Sequence, residues 1–240
     1  MRQSGNKALV NDQERLFLSL AEQLASPFLQ ISRLAEISAD DDPEAVSQRW
    51  QIVRAISEAS VQLVESYALS LRIHGKVTPL RLEPLTVSSL LYDTAEQLQP
   101  FARQYGVELA LDIGSRSTPI IADRTVLQAA MTSLGQVFVL AQAESDDTAA
   151  VHLSAHRSRY GIVAGLYGNA QLGADGLRRA RALQGKARQP LQKLTSGPAA
   201  GVFVADSLLQ TLAARLHVAR YHNMTGLAAT LQPSTQLQLV

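Results

Sequence analysis

The sequence predicts an α+β protein. An N-terminal antiparallel helical hairpin, residues 1–78, pairs with a second copy as a four-helix bundle, and an α/β sandwich, residues 79–240, carries its helices on one face of a mixed sheet. Three observations predict this. Two long runs of helical apolar spacing are separated only by the acidic turn Ser38-Ala39-Asp40-Asp41-Asp42. After His74-Gly75-Lys76 the pattern changes to short strand-like segments interleaved with helical ones. The composition, 46% hydrophobic and 18% charged over 240 residues, is that of a folded chain, long enough to bury about 70% of its unfolded surface.

The first helix spans Asn11 to Ile37, where Phe17, Ala21, Leu24, Phe28, Ile31 and Ala35 recur at intervals of four and three. Leu16, Leu20 and Leu34 widen the seam, as expected for a helix with more than one neighbour, and Pro27 should kink it. The acidic turn then offers an Asp cap, with Pro43 and Glu44 suited to a helix's first turn. The second helix runs from Pro43 to about Ile73. Ile52, Ile56, Ala59 and Leu63 form one line, and Val61, Val64, Ala68 and Leu71 another. His74-Gly75 ends it, with glycine at the stop. A hairpin of two such helices cannot cover its own apolar face, which is why a second copy is inferred.

In the second part, Leu80-Arg81-Leu82 is a short strand, and Thr86 opens a helix through Leu90, Leu91, Ala95, Leu98 and Ala102. Strands follow at Val107–Ile113 and Pro119–Ala122, then a helix from Asp123 to about Ala143. Ala149–Ser158 and Gly161–Tyr167 form a hairpin across Arg159-Tyr160. A short basic helix lies near Ala174–Leu183, a Gly/Pro-containing loop at Lys186–Gly201, and a helix at Val202–Leu216. Strands at Val218–His222 and Thr225–Leu231 close the sheet.

Charge and residue inventory exclude several functions. The absence of cysteine removes disulfides, thiolate nucleophiles and every cysteine zinc site. With 22 Lys+Arg against 21 Asp+Glu, neither nucleic acid nor an anionic membrane is the expected partner. Residues 1–78 carry net −2 and residues 79–240 net +3, a mild asymmetry that fits two domains. The polar start and the absence of a long apolar run predict a cytoplasmic protein without signal peptide or membrane span. His152, His156, His217 and His222 lack carboxylates at ligand spacing, so no metal is expected.

Several segments, in order, resemble the core of a histidine kinase over about 215 residues. Leu20-Ala21-Glu22-Gln23-Leu24-Ala25-Ser26-Pro27-Phe28 resembles the phosphoacceptor box, with Leu24, Pro27 and Phe28 matching and Glu22 in place of the phosphorylated histidine. Leu82-Glu83-Pro84-Leu85-Thr86, Gly106-Val107-Glu108-Leu109 and Ala122-Asp123 are similar to the start of the family's Bergerat-type ATP-binding domain. Thr132-Ser133-Leu134-Gly135-Gln136-Val137 falls on the helix whose asparagine holds magnesium in the family; Gln136 stands there, with Thr132 at the other asparagine position. The longer glutamine side chain fits poorly to a cation that tolerates little geometric error. Tyr167-Gly168-Asn169-Ala170-Gln171 stands where an adenine-binding Asp-x-Gly-x-Gly is usual. Gly197-Pro198-Ala199-Ala200-Gly201-Val202 keeps two glycines of the last box, and Thr225-Gly226-Leu227 leads a terminal strand with Ala229 at the usual aromatic.

The resemblance implies a degenerate nucleotide pocket at Thr132, Gln136, Tyr167, Gly197 and Gly201, and a partner-docking surface around Glu22, Gln23 and Ser26. It implies a homodimeric pseudokinase that docks a response-regulator receiver or a histidine kinase in two-component signalling, with no cofactor expected and ATP without magnesium left open. The alternative it implies is an enzyme: a receiver phosphatase using Gln23, or a divergent kinase or phosphotransferase with residual nucleotide binding. Glu22 is either a fixed-charge mimic of phosphohistidine or an ordinary exposed glutamate. Arg178, Arg179, Arg181, Lys186, Arg188 and Lys193 fall at the family's ATP lid and otherwise form a solvated face. His74 is a helix cap or a relocated acceptor.

Overall fold

A computed structural model describes residues 28–29, 31–36, 42–114, 119–143, 150–169 and 199–234. Most of the predicted first helix lies outside these residues, including Glu22, Gln23 and Ser26, as do Gly197 and the basic segment; residues 31–35 are helical. Labels below count the described elements.

Helix α1 is Pro43–His74, entered from extended Asp42 with Pro43 and Glu44 in its first turn. It ends where predicted, with Gly75 at the cap, but the left-handed residue is the next one. Gly75 stays right-handed, and Lys76 takes the left-handed conformation (φ 57). There Val77 N donates to Arg72 O at 2.8 Å and Lys76 N to Ile73 O at 2.9 Å, closing the last turn.

Strand β1 is Glu83–Leu85, not Leu80–Leu82. The reason is a side chain: Asp123 Oδ2 takes the Arg81 amide at 2.8 Å, so pairing with β3 (Ile120–Ala122) starts only at Glu83. Helix α2, Val87–Gln104, is capped by Thr86, whose hydroxyl accepts from Ser89 N, and leaves through Gly106 at φ 65. Strand β2 is Glu108–Ile113. Helix α3, Arg124–Ala143, is capped by Asp123 Oδ1, which accepts from Val126 N at 3.1 Å.

Strands β4 (Ala150–Ser158) and β5 (Gly161–Gly168) form the expected hairpin. Helix α4 is Ala199–Thr211, earlier at both ends than the expected Val202–Leu216. Ala213 is left-handed (φ 56), Ala214 N donates back to Leu209 O at 3.0 Å, and Asp206 Oδ1 captures Leu216 N at 3.1 Å, so Leu216 opens a strand instead. Strands β6 (Leu216–Tyr221) and β7 (Met224–Leu231) end the described chain.

The main sheet runs β2-β4-β5-β7-β6; β2 and β4 are parallel and the other pairs antiparallel, which makes it mixed. Helices α2, α3 and α4 pack on one face, where Val151, Leu153, Ala164, Leu166, Leu227 and Ala229 meet Leu90, Leu127, Leu134, Val202 and Leu208. Helix α1 lies on that helical layer, and its Leu63 and Tyr67 join the same core. Gly135 makes room within the layer: a Cβ there would sit 2.1 Å from Leu98 Cδ1. By length and composition α3 could cross a membrane, but 72% of its apolar window is buried, which is how a central core helix looks in sequence.

Candidate functional site

Thr132 and Gln136 lie one turn apart on α3, so helical geometry places both on one side. Both are buried, Gln136 to 7% exposure. Each already has a polar atom engaged. Gln136 Nε2 donates to Gln62 Oε1 of α1 at 2.9 Å, and Thr132 Oγ1 donates to Gln97 Oε1 of α2 at 3.1 Å. Two turns further along α1, Ser70 Oγ shares a buried 2.8 Å hydrogen bond with Ser207 Oγ of α4. The second hairpin helix is thus tied by polar contacts to α3 and α4, with Leu63 and Tyr67 buried between. His74 Nδ1 lies 2.9 Å from Ser70 O, a helix-end contact.

Tyr167 does not join this group. Along β5 the even-numbered Ile162, Ala164 and Leu166 enter the helix-facing core, whereas Val163 and Tyr167 pack on the other face with Ala228. Tyr167 is 0% exposed, and burial pushes its phenol up to about 12. Its ring lies where only glycine fits beneath: a Cβ on Gly226 would be 2.7 Å from Tyr167 Cδ1, and one on Gly165 2.8 Å from Tyr167 Oη. Gly201 is buried in the first turns of α4. Of the five pocket residues expected, Thr132 and Gln136 share a helix, Tyr167 is across the sheet from them, and Gly197 lies outside the described residues.

The outer sheet face carries a second polar group. Tyr221 of β6 donates from its phenol to Asp112 Oδ2 at 2.7 Å, which holds its pKa above the usual tyrosine value. His222 Nε2 is 3.7 Å from the same carboxylate. The Tyr221 ring stacks on His156 at a 5.4 Å centroid distance and tilts against Tyr167 at 5.2 Å. Burial lowers the His156 pKa, with Asp112 opposing the shift.

Sequence reasoning missed Gln62, Gln97, Ser70 and Ser207 on the helical side, and Asp112 and Tyr221 on the sheet. A single Gln or Ser in a long helix carries no signal that separates a buried contact from a solvated one. Asp112, opposite Ser154 in register, shows itself only once strand order is known.

No family profile and no curated protein matches the sequence. Solved structures do. The histidine kinase AdeS of Acinetobacter baumannii superposes with a TM-score of 0.51 at 11% identity, covering 89% of this chain and 96% of that one. Full-length ShkA in complex with AMPPNP gives 0.54 at 18% identity, covering 92% of this chain and 46% of that one. The chain therefore has a histidine kinase ATP-binding type of fold, α+β with a helical N-terminal part.

Proposed function

We propose that this protein is a non-catalytic, histidine-kinase-like docking protein of two-component signalling, which acts as a homodimer and engages a receiver domain or a kinase. The kinase type of fold supports the pathway. One observation carries the non-catalytic reading: the Gln136 amide, on the magnesium position implied by the resemblance, is buried and bonded to Gln62. A magnesium–nucleotide site would need that side chain free, with its oxygen set for octahedral geometry. Tyr167, at the implied adenine position, faces the opposite side of the sheet. With the Gln136 amide anchored through its nitrogen to α1 and Tyr167 on the far face, these residues do not fit the group. In this reading residues 1–78 dimerise, Glu22, Gln23 and Ser26 contact the partner, and residues 79–240 serve as an interaction domain.

The test uses the full chain. Calorimetry with Mg-ATP is expected to show no heat of binding, and labelled ATP no incorporation, while a receiver domain binds and keeps its phosphoryl group. Label that survives base but not acid would overturn the reading in favour of a kinase with an acceptor other than position 22. Faster loss of phosphate from a phosphorylated receiver would establish a phosphatase instead.

A further inference from the structure

On the outer face of the sheet three buried polar atoms, Ser154 Oγ, Tyr167 Oη and His156 Nδ1, have no hydrogen bond of good geometry among the described residues, although Ser154 Oγ lies close enough to the Tyr221 phenol to pull its pKa down against the larger effect of Asp112. Ser154 and Tyr167 are both 0% exposed. Leaving such atoms unpaired is costly, and native folds rarely do so. These atoms are also neighbours. Ser154 and His156 alternate on one face of β4, and Ser154 pairs in register with Gly165. The Tyr167 phenol folds back over Gly165, 2.8 Å from where a Cβ would stand, so it lies beside Ser154. Tyr221 roofs the group, stacked on His156, tilted on Tyr167 and bonded to Asp112.

We propose that this cluster is a binding site for one buried, water-sized neutral ligand, water itself, which bridges Ser154 Oγ, Tyr167 Oη and His156 Nδ1 beneath the Tyr221–Asp112 bond. The Asp112 carboxylate opposes an anion. No three His, Asp or Glu side chains among the described residues converge as a metal site. Ring centroids 5.2 and 5.4 Å apart leave no slot for a larger organic molecule. Water supplies two donors and two acceptors, and two hydroxyls with one imidazole nitrogen satisfy three of them. The inference shares only Tyr167 with the functional reading above, and its failure would leave the Gln136–Gln62 contact that carries that reading untouched.

The sign of one substitution tests it. A dry, orphaned phenol hydroxyl is a liability, so Tyr167→Phe would then raise the urea midpoint or leave it unchanged. A hydroxyl bonded to bridging water is an asset, so the midpoint falls. Ser154→Ala is expected to lower it as well, and the double variant to fall by less than the sum of the two single shifts, since both lose the same bridge. A high-resolution crystal structure of the full chain is expected to show one spherical density peak within hydrogen-bond distance of all three atoms. A raised or unchanged midpoint for Tyr167→Phe, no density there, or density extending beyond one water would each overturn the proposal.

Discussion

Tyr221 and Asp112 stand on the two opposite edge strands of a five-stranded sheet and are joined by a 2.7 Å hydrogen bond. In a flat sheet those edges would be about 19 Å apart, four spacings of about 4.8 Å, beyond the reach of the two side chains. The sheet therefore coils until its edges approach, and the turn between β6 and β7 leans over the outer face. The bond fastens that curl. Tyr221→Phe is expected to cost about 0.5–1.5 kcal/mol, seen as a lower urea midpoint at neutral pH. Asp112→Asn keeps an acceptor and should lose less. An unchanged midpoint in Tyr221→Phe would mean that backbone twist alone sets the curl.

The pairing of Gln136 with Gln62 predicts a non-additive result. Replacing Gln62 by Leu strands the buried Gln136 amide, at about 1–3 kcal/mol, and replacing Gln136 strands the half-buried Gln62 amide at a smaller cost. Replacing both removes the need for a partner, so the double variant should be less destabilised than the two single losses combined. Additive losses in a double-mutant cycle would show that the amides do not depend on one another.

Alkaline titration should separate the tyrosines. Burial raises the pKa of Tyr67 and Tyr105 as well as that of Tyr167, which reaches about 12. A phenol with a raised folded pKa favours the native state fully below pH of about 10, its unfolded value, and that contribution drains away as pH climbs through the folded value. For Tyr167 it amounts to about 2–3 kcal/mol. Tyrosinate absorbance from Tyr67, Tyr105 and Tyr167 is expected to rise only above the ordinary phenol range, that of Tyr167 together with loss of structure. A single transition near the ordinary phenol value, with the fold intact, would contradict the burial of Tyr167.

Three helices close in the same manner, each with one left-handed residue after the last turn: Lys76, Gly106 and Ala213. Only one of these is glycine. Side chains in that conformation cost about 1–2 kcal/mol, partly offset because glycine makes the unfolded chain freer. Ala213→Gly and Lys76→Gly are each expected to gain about 0.5–1 kcal/mol, and Gly106→Ala to lose a similar amount, as read by thermal or urea unfolding.

Those helix ends also mark how far the fold is legible in the sequence. Apolar periodicity and cap residues suffice for α1, α2, α3, the β4–β5 hairpin and the closing strand, because there local preference and burial agree. The left-handed turns at Lys76 and Ala213 are not legible, since neither is a residue that favours that conformation, although the end of α1 at His74-Gly75 is. Tertiary bonds decide the second of them: Asp206 draws Leu216 out of the expected helix. The same holds for β1, displaced by the contact of Asp123 with Arg81. Of the candidate site, the positions of Thr132 and Gln136 on one helix follow from spacing, but their partners do not. Tyr167 shows why its face is unreadable from sequence. All eight residues of β5 are buried, so no alternation of polar and apolar side chains tells the helix-covered face from the other.

Helix α1 lies across α3 and α4, held by Gln62 on Gln136 and Ser70 on Ser207, with Leu63 and Tyr67 sunk between. On the proposed reading, one substitution at position 136 is therefore not enough to supply a magnesium ligand there. Exchange to asparagine shortens one side chain and breaks one bond, but it leaves a helix of 32 residues where it is. What stands over position 136 is an apolar seam as well as the Gln62 amide, so no single substitution there opens the position.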